Sequence, residues 1–237
     1  MKRCIVSVAF RNPYVGYLTY MLKSLEAVGN AIPVITWRDE LPAGSPTHQQ
    51  VNYAFKLFAI RECMARSYTS ILWLDCACYA RGPLEPIFDL IEKDGHHFIH
   101  DDNALGKWIS DKGLDYFGMS RDEAMTLKLM CGTCYGFDMT NVRTQAFFKA
   151  WGDSYDAGFR GAFYGGSYKD GMSLARMLSP DLRCCGHRSD EAAAAIIAHR
   201  LGMATTSIGH SPFGGGMCYQ PHVLINSGYD MAARNKI

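Results

Sequence analysis

Apolar and polar positions follow each other along the chain in a pattern that predicts strands and helices in turn. An apolar run at residues 4–10 predicts a buried strand, apolar residues at helical spacing follow over 18–28, and a second apolar run covers 32–37. Two strands joined by a helix predict a parallel pair with a right-handed crossover, and therefore an α/β fold. The turn after the first strand lacks a Gly-x-Gly-x-x-Gly pattern, so the sequence does not predict a dinucleotide cofactor.

The stretch at residues 56–90 is the most informative part of the chain. It predicts a helix, an unbroken apolar strand at 70–74, a carboxylate at Asp75 where the strand ends, a Gly-Pro break and a second helix with one apolar stripe. A strand without polar alternation is typical of a sheet covered on both faces. Because open α/β sheets bind ligands at the carboxyl ends of their strands, Asp75 is a candidate ligand-binding residue. A solvated acid that begins a turn is the alternative.

The composition fits one folded unit without a preferred charged partner. With 237 residues, 48% of them hydrophobic, the chain can bury the core of one domain, and its formal net charge of +1 gives no overall attraction to nucleic acid or anionic membranes. The apolar run near the amino terminus is too short for a signal sequence or a membrane span. We therefore expect a cytoplasmic protein that does not span a membrane.

The chain has nine cysteines, an odd number that excludes complete pairing into disulfides. In the cytoplasm they are expected to be reduced thiols. Cys131 and Cys134, together with Cys184, Cys185 and His187, could form a zinc site, but both groups lie in apolar, strand-like surroundings. Buried free thiols are the favoured interpretation.

The residues Ile-Leu-Trp-Leu-Asp-Cys-Ala at 71–77, with Gly-Pro-Leu-Glu-Pro-Ile-Phe at 82–88, resemble the core of GT-A fold glycosyltransferases. The similarity is to the glycogenin-like and lipopolysaccharide galactosyltransferase-like enzymes, in which a hydrophobic strand runs into an Asp-x-Asp motif. This resemblance implies an α/β fold as a single domain over residues 1–237, built on a mixed, mostly parallel sheet with helices on both faces. A helical insertion is expected at about 103–130.

The same resemblance implies a glycosyltransferase that moves a sugar from a nucleotide diphosphate sugar, such as a UDP-sugar, to an acceptor hydroxyl. The acceptor would be a glycan, a lipid-linked saccharide or modified DNA. One alternative is a phage-type DNA glycosyltransferase that acts on hydroxymethylated pyrimidine bases, although phosphate contacts normally call for a basic surface. Another is a member of the fold that binds a nucleotide or a glycan without catalysis.

The sequence departs from this family at the metal-binding motif, where the second Asp position is Ala77. Because side chains alternate along a strand, Ala77 should face the donor on the same side as Asp75, with Cys76 and Cys78 directed into the core. The resemblance implies a divalent metal, Mn²⁺ or Mg²⁺, held by Asp75 and His210. With one carboxylate missing, we expect the metal to be held weakly without the donor.

The resemblance also assigns residues to the donor. Phe10, Arg11 and Tyr14, in and after the turn that follows the first strand, would face the base and the ribose. Lys56 would neutralise the diphosphate, and Gly132 would line the sugar pocket. An ordinary loop charge at Arg11, a half-buried ring at Tyr14 and a solvated lysine on the polar face of its helix are the alternatives.

The remaining assignments concern the acceptor and the chemistry. Residues 186–201 predict a helix with acids at its start, similar to the helix that places an acid beside the anomeric carbon in glycogenin-like enzymes. Asp190 would be the catalytic residue, His187 and Arg188 would contact the acceptor or a phosphate, and Trp108 would be a stacking platform for the acceptor. A helix-capping role for Asp190 and a core position for Trp108 are the alternatives.

Overall fold

The computed structural model describes residues 1–156 and 177–208, together with the backbone of two short strands nearer the carboxyl terminus. The strands are β1 (Arg3–Ala9), β2 (Val34–Arg38), β3 (Ser70–Leu74), β4 (Cys78–Ala80), β5 (His96–Ala104), β6 (Lys128–Asp138), β7 (Thr206–Ser207), β8 (Phe213–Gly215) and β9 (Ile225–Ser227). The helices are α1 (Tyr14–Ala27), α2 (Phe55–Ala65), α3 (Glu85–Asp94), α4 (Asp111–Phe117), α5 (Arg121–Thr126), α6 (Val142–Asp156) and α7 (Ser189–Arg200), with a 3₁₀ turn at Leu105–Lys107.

Six of the described strands form one sheet in the order β2-β1-β3-β6-β5-β7. Strand β1 pairs in parallel with β2 and β3, and β5 pairs in parallel with β7, whereas β6 runs antiparallel to both of its neighbours. This arrangement confirms the predicted mixed, mostly parallel sheet. Strands β4, β9 and β8 form a second, three-stranded sheet within the described part of the chain.

Helices cover both faces of the six-stranded sheet, as the sequence predicts. Helices α1 and α3 bury residues such as Leu18 and Phe88 against one face. Helices α2, α6 and α7 bury residues such as Ile60, Trp151 and Ile197 against the other. Because successive strand residues point to opposite faces, β3 contributes to both clusters and is buried along its whole length.

The region of the predicted helical insertion contains the 3₁₀ turn and the short helices α4 and α5. Ser120 begins α5 with a capping box: its hydroxyl accepts from the Glu123 N–H at 3.2 Å, and Glu123 Oε2 accepts from the Ser120 N–H at 2.7 Å. The flanking strands reach into the predicted interval, since β5 ends at Ala104 and β6 begins at Lys128.

This helical region is bonded to the segment that leads into α7. The N–H of Arg188 donates to the carbonyl oxygen of Trp108 at 2.9 Å, and the N–H of Ser110 donates to His187 Nδ1 at 3.0 Å. These contacts fix the start of α7 beside the sheet. Among the residues described, no helix combines the length and the apolar character needed to cross a membrane.

Candidate active site

Three neighbouring strands and two helices meet at one edge of the six-stranded sheet. Strands β1 and β3 end at this edge, and β6, which runs antiparallel to β3, passes it near its middle. The N–H of Asp75 donates to the carbonyl oxygen of Thr133 at 2.9 Å, so the backbone after β3 lies against β6. The first turns of α2 and α7 reach the same edge, where Lys56 contacts Asp190.

A cavity of about 330 Å³ opens at this edge, a volume typical of small-molecule sites. Its position agrees with the rule that α/β sheets bind ligands beyond the carboxyl ends of their strands. The side chains around it include several aromatic rings and a set of charged side chains, called the charged group below: Lys56, Asp75, Arg188 and Glu191. The lining residues are Val8, Ala9, Phe10, Tyr14, His48, Tyr53, Phe55, Lys56, Asp75, Cys76, Ala77, Thr133, Arg188 and Glu191.

Lys56 is the centre of the charged group. Its side chain is 2% exposed, and Nζ donates to Asp190 Oδ2 and to the carbonyl oxygen of Gly132, both at 2.7 Å. Nζ also lies 3.5 Å from Asp75 Oδ1. Burial alone would lower the pKa of Lys56, but the charges of Asp190 and Asp75 outweigh it and raise that pKa above its usual value. Lys56 is therefore a buried cation held between two carboxylates.

This placement excludes the alternative interpretation of Lys56 as a solvated lysine on the polar face of its helix. The first two turns of α2 are buried on several sides, with Phe55 and Leu57 next to the lysine in the chain and both buried. A buried ammonium is tolerated when carboxylates neutralise its charge and hydrogen bonds satisfy its donors. Asp190 and Gly132 supply those bonds.

Asp75 connects this buried cation to the cavity. Its Oδ1 accepts from Trp73 Nε1 at 2.9 Å and faces Lys56, and its side chain remains 30% exposed. Among the described residues both contacts are made by Oδ1, so Oδ2 is the oxygen that we expect a ligand in the cavity to meet. Burial raises the pKa of Asp75 above its usual value, against the lowering influence of Lys56.

The residues after β3 form a turn and do not continue the strand. The N–H of Cys78 donates to the carbonyl oxygen of Asp75 at 2.9 Å, which closes that turn. Ala77 lines the cavity, and Cys78 is buried. Cys76 also lines the cavity, which corrects the prediction from strict strand alternation that it faces only the core.

Glu191 adds a second cavity-lining carboxylate. Its Oε1 accepts from the Gly132 N–H at 3.1 Å, its Oε2 lies 3.2 Å from Arg188 Nη1, and its side chain is 12% exposed. Burial and the charge of Asp190 raise the pKa of Glu191 to about 7, although Arg188 opposes this shift. These surroundings therefore favour the protonated carboxyl more than water does.

Asp190, the predicted catalytic residue, contacts Lys56, which lines the cavity. Its side chain is 3% exposed, it bonds the lysine, and it is absent from the described cavity lining. Its backbone carbonyl oxygen accepts from Trp151 Nε1 at 3.2 Å, which anchors the first turn of α7 to α6. Hydrogen bonds therefore hold both the backbone and the side chain of Asp190 in place.

An aromatic cluster of Phe10, His48, Tyr53 and Phe55 lines the cavity beside these charges. The rings of His48 and Tyr53 meet edge to face with centroids 4.7 Å apart, and those of Phe10 and Phe55 do so at 5.5 Å. Tyr53 has a φ of 61°, in the left-handed region that side-chain-bearing residues rarely adopt. Its ring lies 5.1 Å from Lys56 Nζ, so the aromatic cluster and the charged group meet there.

Most of the residues predicted to contact the donor line the cavity, including Phe10 and Tyr14. Arg11 is exposed at a φ of 65° and is absent from the described lining. Gly132 takes part through its backbone, since its N–H and its carbonyl oxygen bond Glu191 and Lys56.

The predicted acceptor residues divide into two groups. Arg188 lines the cavity, and its guanidinium lies 5.6 Å from the centre of the half-buried Trp108 ring. His187 is 2% exposed, and its Nδ1 accepts the Ser110 N–H, which gives it a place between the helical region and α7. His210, the second predicted metal ligand, lies outside the described residues.

The site fits a divalent metal only in part. Over residues 1–156 and 177–208, no three side chains of His, Cys, Asp or Glu are grouped so as to hold a metal ion. Asp75 offers Oδ2, and Ala77 offers no ligand. Hard cations require several oxygen ligands, so a metal bound here would need oxygens from phosphates and water.

Several cavity residues carry no functional assignment from the sequence, among them His48, Tyr53 and Glu191. His48 and Tyr53 lie in the loop before α2, where no periodic pattern exists, and their one signal is the density of aromatic residues over 48–58. Glu191 follows Asp190 directly, and both acids fit a helix start equally well without function. The sequence therefore shows an acid at position 191 but does not indicate that it has a function.

Comparison with solved structures identifies the fold. The chain is similar to the galactosyltransferase LgtC, solved in complex with donor and acceptor sugar analogs, with a TM-score of 0.51 and 13% identity over 97% of this chain and 88% of that chain. It is also similar to a glycosyltransferase involved in the glycosylation of the major capsid of PBCV-1, with a TM-score of 0.51 and 11% identity over 99% and 97%. No family model and no curated protein matches the sequence. The chain has the GT-A fold of these two glycosyltransferases.

Proposed function

We propose that this protein transfers a sugar from a nucleotide diphosphate sugar to an acceptor hydroxyl, and that the cavity is its donor site. The observation that carries the proposal is the meeting of an aromatic cluster and a buried charged group in one cavity of a GT-A fold. Flat aromatic rings suit a nucleobase, and fixed cations suit phosphate oxygens. A UDP-sugar combines both kinds of group in one molecule.

In this proposal the aromatic cluster and Tyr14 contact the base and the ribose, while Lys56 faces the diphosphate. Lys56 stays paired with Asp190, so its charge is in place before the donor arrives. A cation held in this way stabilises the negative charge that develops on the leaving diphosphate, without reorganisation during the reaction. Asp190 is then a positioning residue for the lysine.

The charges at the site also favour a metal that binds together with the donor. Asp75, Asp190 and Glu191 outnumber the cations Lys56 and Arg188 among the described residues, so the ionised site already has an excess of negative charge. A diphosphate adds more, and buried negative charge requires neutralisation. We propose that Asp75 Oδ2 and His210 hold Mn²⁺ or Mg²⁺ with the donor phosphates. The metal when bound supplies Lewis-acid stabilisation of the leaving group.

The acceptor is proposed to bind at Arg188 and Trp108, next to the donor cavity. A glycan or a lipid-linked saccharide offers hydroxyl groups for the guanidinium and a ring face for the indole. Modified DNA receives less support, because the formal net charge of +1 provides no overall attraction to its phosphates. The cytoplasmic location expected from the sequence stays a prediction.

The donor-site proposal predicts nucleotide binding that is strengthened by metal. A ligand at one hundred times its dissociation constant stabilises a folded protein by about 2.7 kcal/mol, which corresponds to roughly 5–10 °C in melting temperature for a chain of this size. We expect UDP or a UDP-sugar to produce a shift of this order with Mn²⁺ and a much smaller one in chelator. Thermal unfolding with a panel of nucleotides and nucleotide sugars measures both.

Two variants make this test specific. Asp75→Ala should lose the Mn²⁺-dependent part of the shift, because it removes the carboxylate that faces the donor phosphates. Asp102→Ala removes a carboxylate that is 91% exposed and should keep the full shift. If no nucleotide diphosphate or nucleotide sugar at millimolar concentration moves the wild-type melting temperature, the donor-site assignment is wrong.

A further inference from the structure

We propose that Glu191 is the general base that takes the proton from the acceptor hydroxyl during transfer. This assignment rests on the sugar transfer proposed above and adds to it the residue that contacts the reacting group. The three carboxylates at the site, Asp75, Asp190 and Glu191, have different partners.

Two of the three carboxylates are engaged with Lys56. Asp190 bonds its ammonium at 2.7 Å and is almost fully buried, and Asp75 faces the ammonium at 3.5 Å while accepting a bond from Trp73. Glu191 is instead held by the Gly132 N–H and by Arg188, and it lines the cavity. Each carboxylate oxygen accepts more than one hydrogen bond, so a hydroxyl can still donate to Glu191.

The position of Glu191 places it between the donor and the acceptor. Its Oε2 lies 3.2 Å from Arg188 Nη1, and the same guanidinium lies against the ring of Trp108. Its Oε1 is fixed by the backbone of Gly132, which also bonds the lysine that would face the leaving diphosphate. A hydroxyl bound at Arg188 therefore has Glu191 as its neighbouring carboxylate on the path to the donor sugar.

The surroundings of Glu191 suit a base that works at neutral pH. Burial and the charge of Asp190 raise its pKa to about 7, and a general base is most effective when its pKa lies near the working pH. The titratable and charged groups that act on it come from its own segment, from the α2 side and from β6. They are Asp190, Arg188, Lys56, Tyr53, Cys131 and Tyr135.

Sugar transfer exchanges one bond at the anomeric carbon of the donor for another. The acceptor oxygen forms a bond to the anomeric carbon while the bond from that carbon to the phosphate oxygen breaks. The nucleoside diphosphate leaves with the electron pair of the broken bond. The acceptor proton moves to the Glu191 carboxylate, which later releases it to water.

The main test is the pH profile of kcat/KM, which reports the pKa values of the free enzyme, for the wild type and for Glu191→Gln. The wild type should lose activity as the pH falls through about 7, because the base becomes protonated. Glu191→Gln should lower kcat by about 10²–10⁴-fold and remove this acid limb. It should keep the donor-induced thermal shift, since the amide still accepts the Gly132 N–H. Glu26→Gln, at an exposed position on α1, should leave the profile unchanged.

A second arm replaces the acceptor with azide, which attacks without losing a proton. Glu191→Gln should still form the glycosyl azide at a rate within tenfold of the wild type. If Glu191→Gln retains the wild-type rate and acid limb toward the hydroxyl acceptor, while the wild type transfers sugar, the base assignment is wrong and the proposed function stands. A sugar covalently attached to Glu191 in intact-mass spectra would make the residue a nucleophile, and loss of azide transfer in Glu191→Gln would show that Glu191 is needed to activate the donor; either result would overturn its role as base. Absence of any sugar transfer by the wild type would refute the proposed function and this role together.

Discussion

Replacing Lys56 with methionine should lower the free energy of unfolding by about 3–5 kcal/mol and abolish sugar transfer. The side chain is 2% exposed and is the shared counter-charge of Asp190 and Asp75. Methionine fills a similar volume, but it leaves both carboxylates without their cation. Urea unfolding at pH 5 and at pH 8 measures the loss.

The loss should be larger at pH 8 than at pH 5. Burial already raises the pKa values of Asp75 and Glu191, and removal of the ammonium should raise them further. A carboxyl whose pKa is higher in the folded than in the unfolded state destabilises the fold as pH rises through that interval. At pH 5 protonation relieves much of this penalty.

Lys149→Met is the matched control for this variant. Lys149 pairs with Asp153 one helical turn away, and its side chain is 76% exposed. Exposed pairs contribute little because water screens them, so this substitution should leave stability unchanged at both pH values. Equal stability of Lys56→Met and the wild type would contradict the buried ion pair.

Gly132→Ala should reduce kcat by about 10²-fold or more while the protein still folds. A Cβ at this position would lie 2.8 Å from Asp190 Oδ2, 2.9 Å from Glu191 Cγ and 3.0 Å from Lys56 Nζ. All three atoms belong to side chains and none to the backbone, so we expect an overpacking cost of about 1–3 kcal/mol rather than unfolding. Movement of these side chains would displace the charged groups from their positions around the cavity.

The control is Gly16→Ala in α1, where a Cβ would meet no atom within 4 Å. Alanine favours a helix by up to about 1 kcal/mol over glycine, so this variant should be slightly more stable and fully active. Steady-state kinetics and thermal unfolding of both variants measure the contrast. Wild-type kinetics in Gly132→Ala would show that the spacing around Gly132 does not matter for catalysis.

The sequence predicts the parts of this structure that depend on local patterns. The unbroken apolar run of β3 indicates a strand covered on both faces, and the acid after it falls at the edge where the cavity opens. The capping box at Ser120 is similarly readable, because its partner lies three residues away. Periodicity and short spacings contain the information needed for both.

The remaining features of the site depend on contacts between distant parts of the chain. Lys56 is buried because Asp190, 134 residues further along, neutralises it, and no local pattern contains that pairing. His48 and Tyr53 line the cavity from a loop whose path is set by packing. Glu191 and Asp190 are neighbours in the sequence but have different partners. Glu191 accepts a hydrogen bond from the Gly132 N–H, whereas Asp190 bonds Lys56, and both contacts depend on how the distant strand β6 and helix α2 pack.

We propose that the cavity supports catalysis of sugar transfer and does not only bind a nucleotide. The most direct measurement incubates the wild type and Lys56→Met with Mn²⁺, a panel of labelled nucleotide sugars and saccharide acceptors, and follows both the nucleoside diphosphate released and the sugar on the acceptor. We predict that the wild type consumes at least one nucleotide sugar with equal amounts of both products, and that Lys56→Met does not. Binding of nucleotide by the wild type without turnover of any member of the panel would contradict the claim and indicate a non-catalytic nucleotide-binding protein.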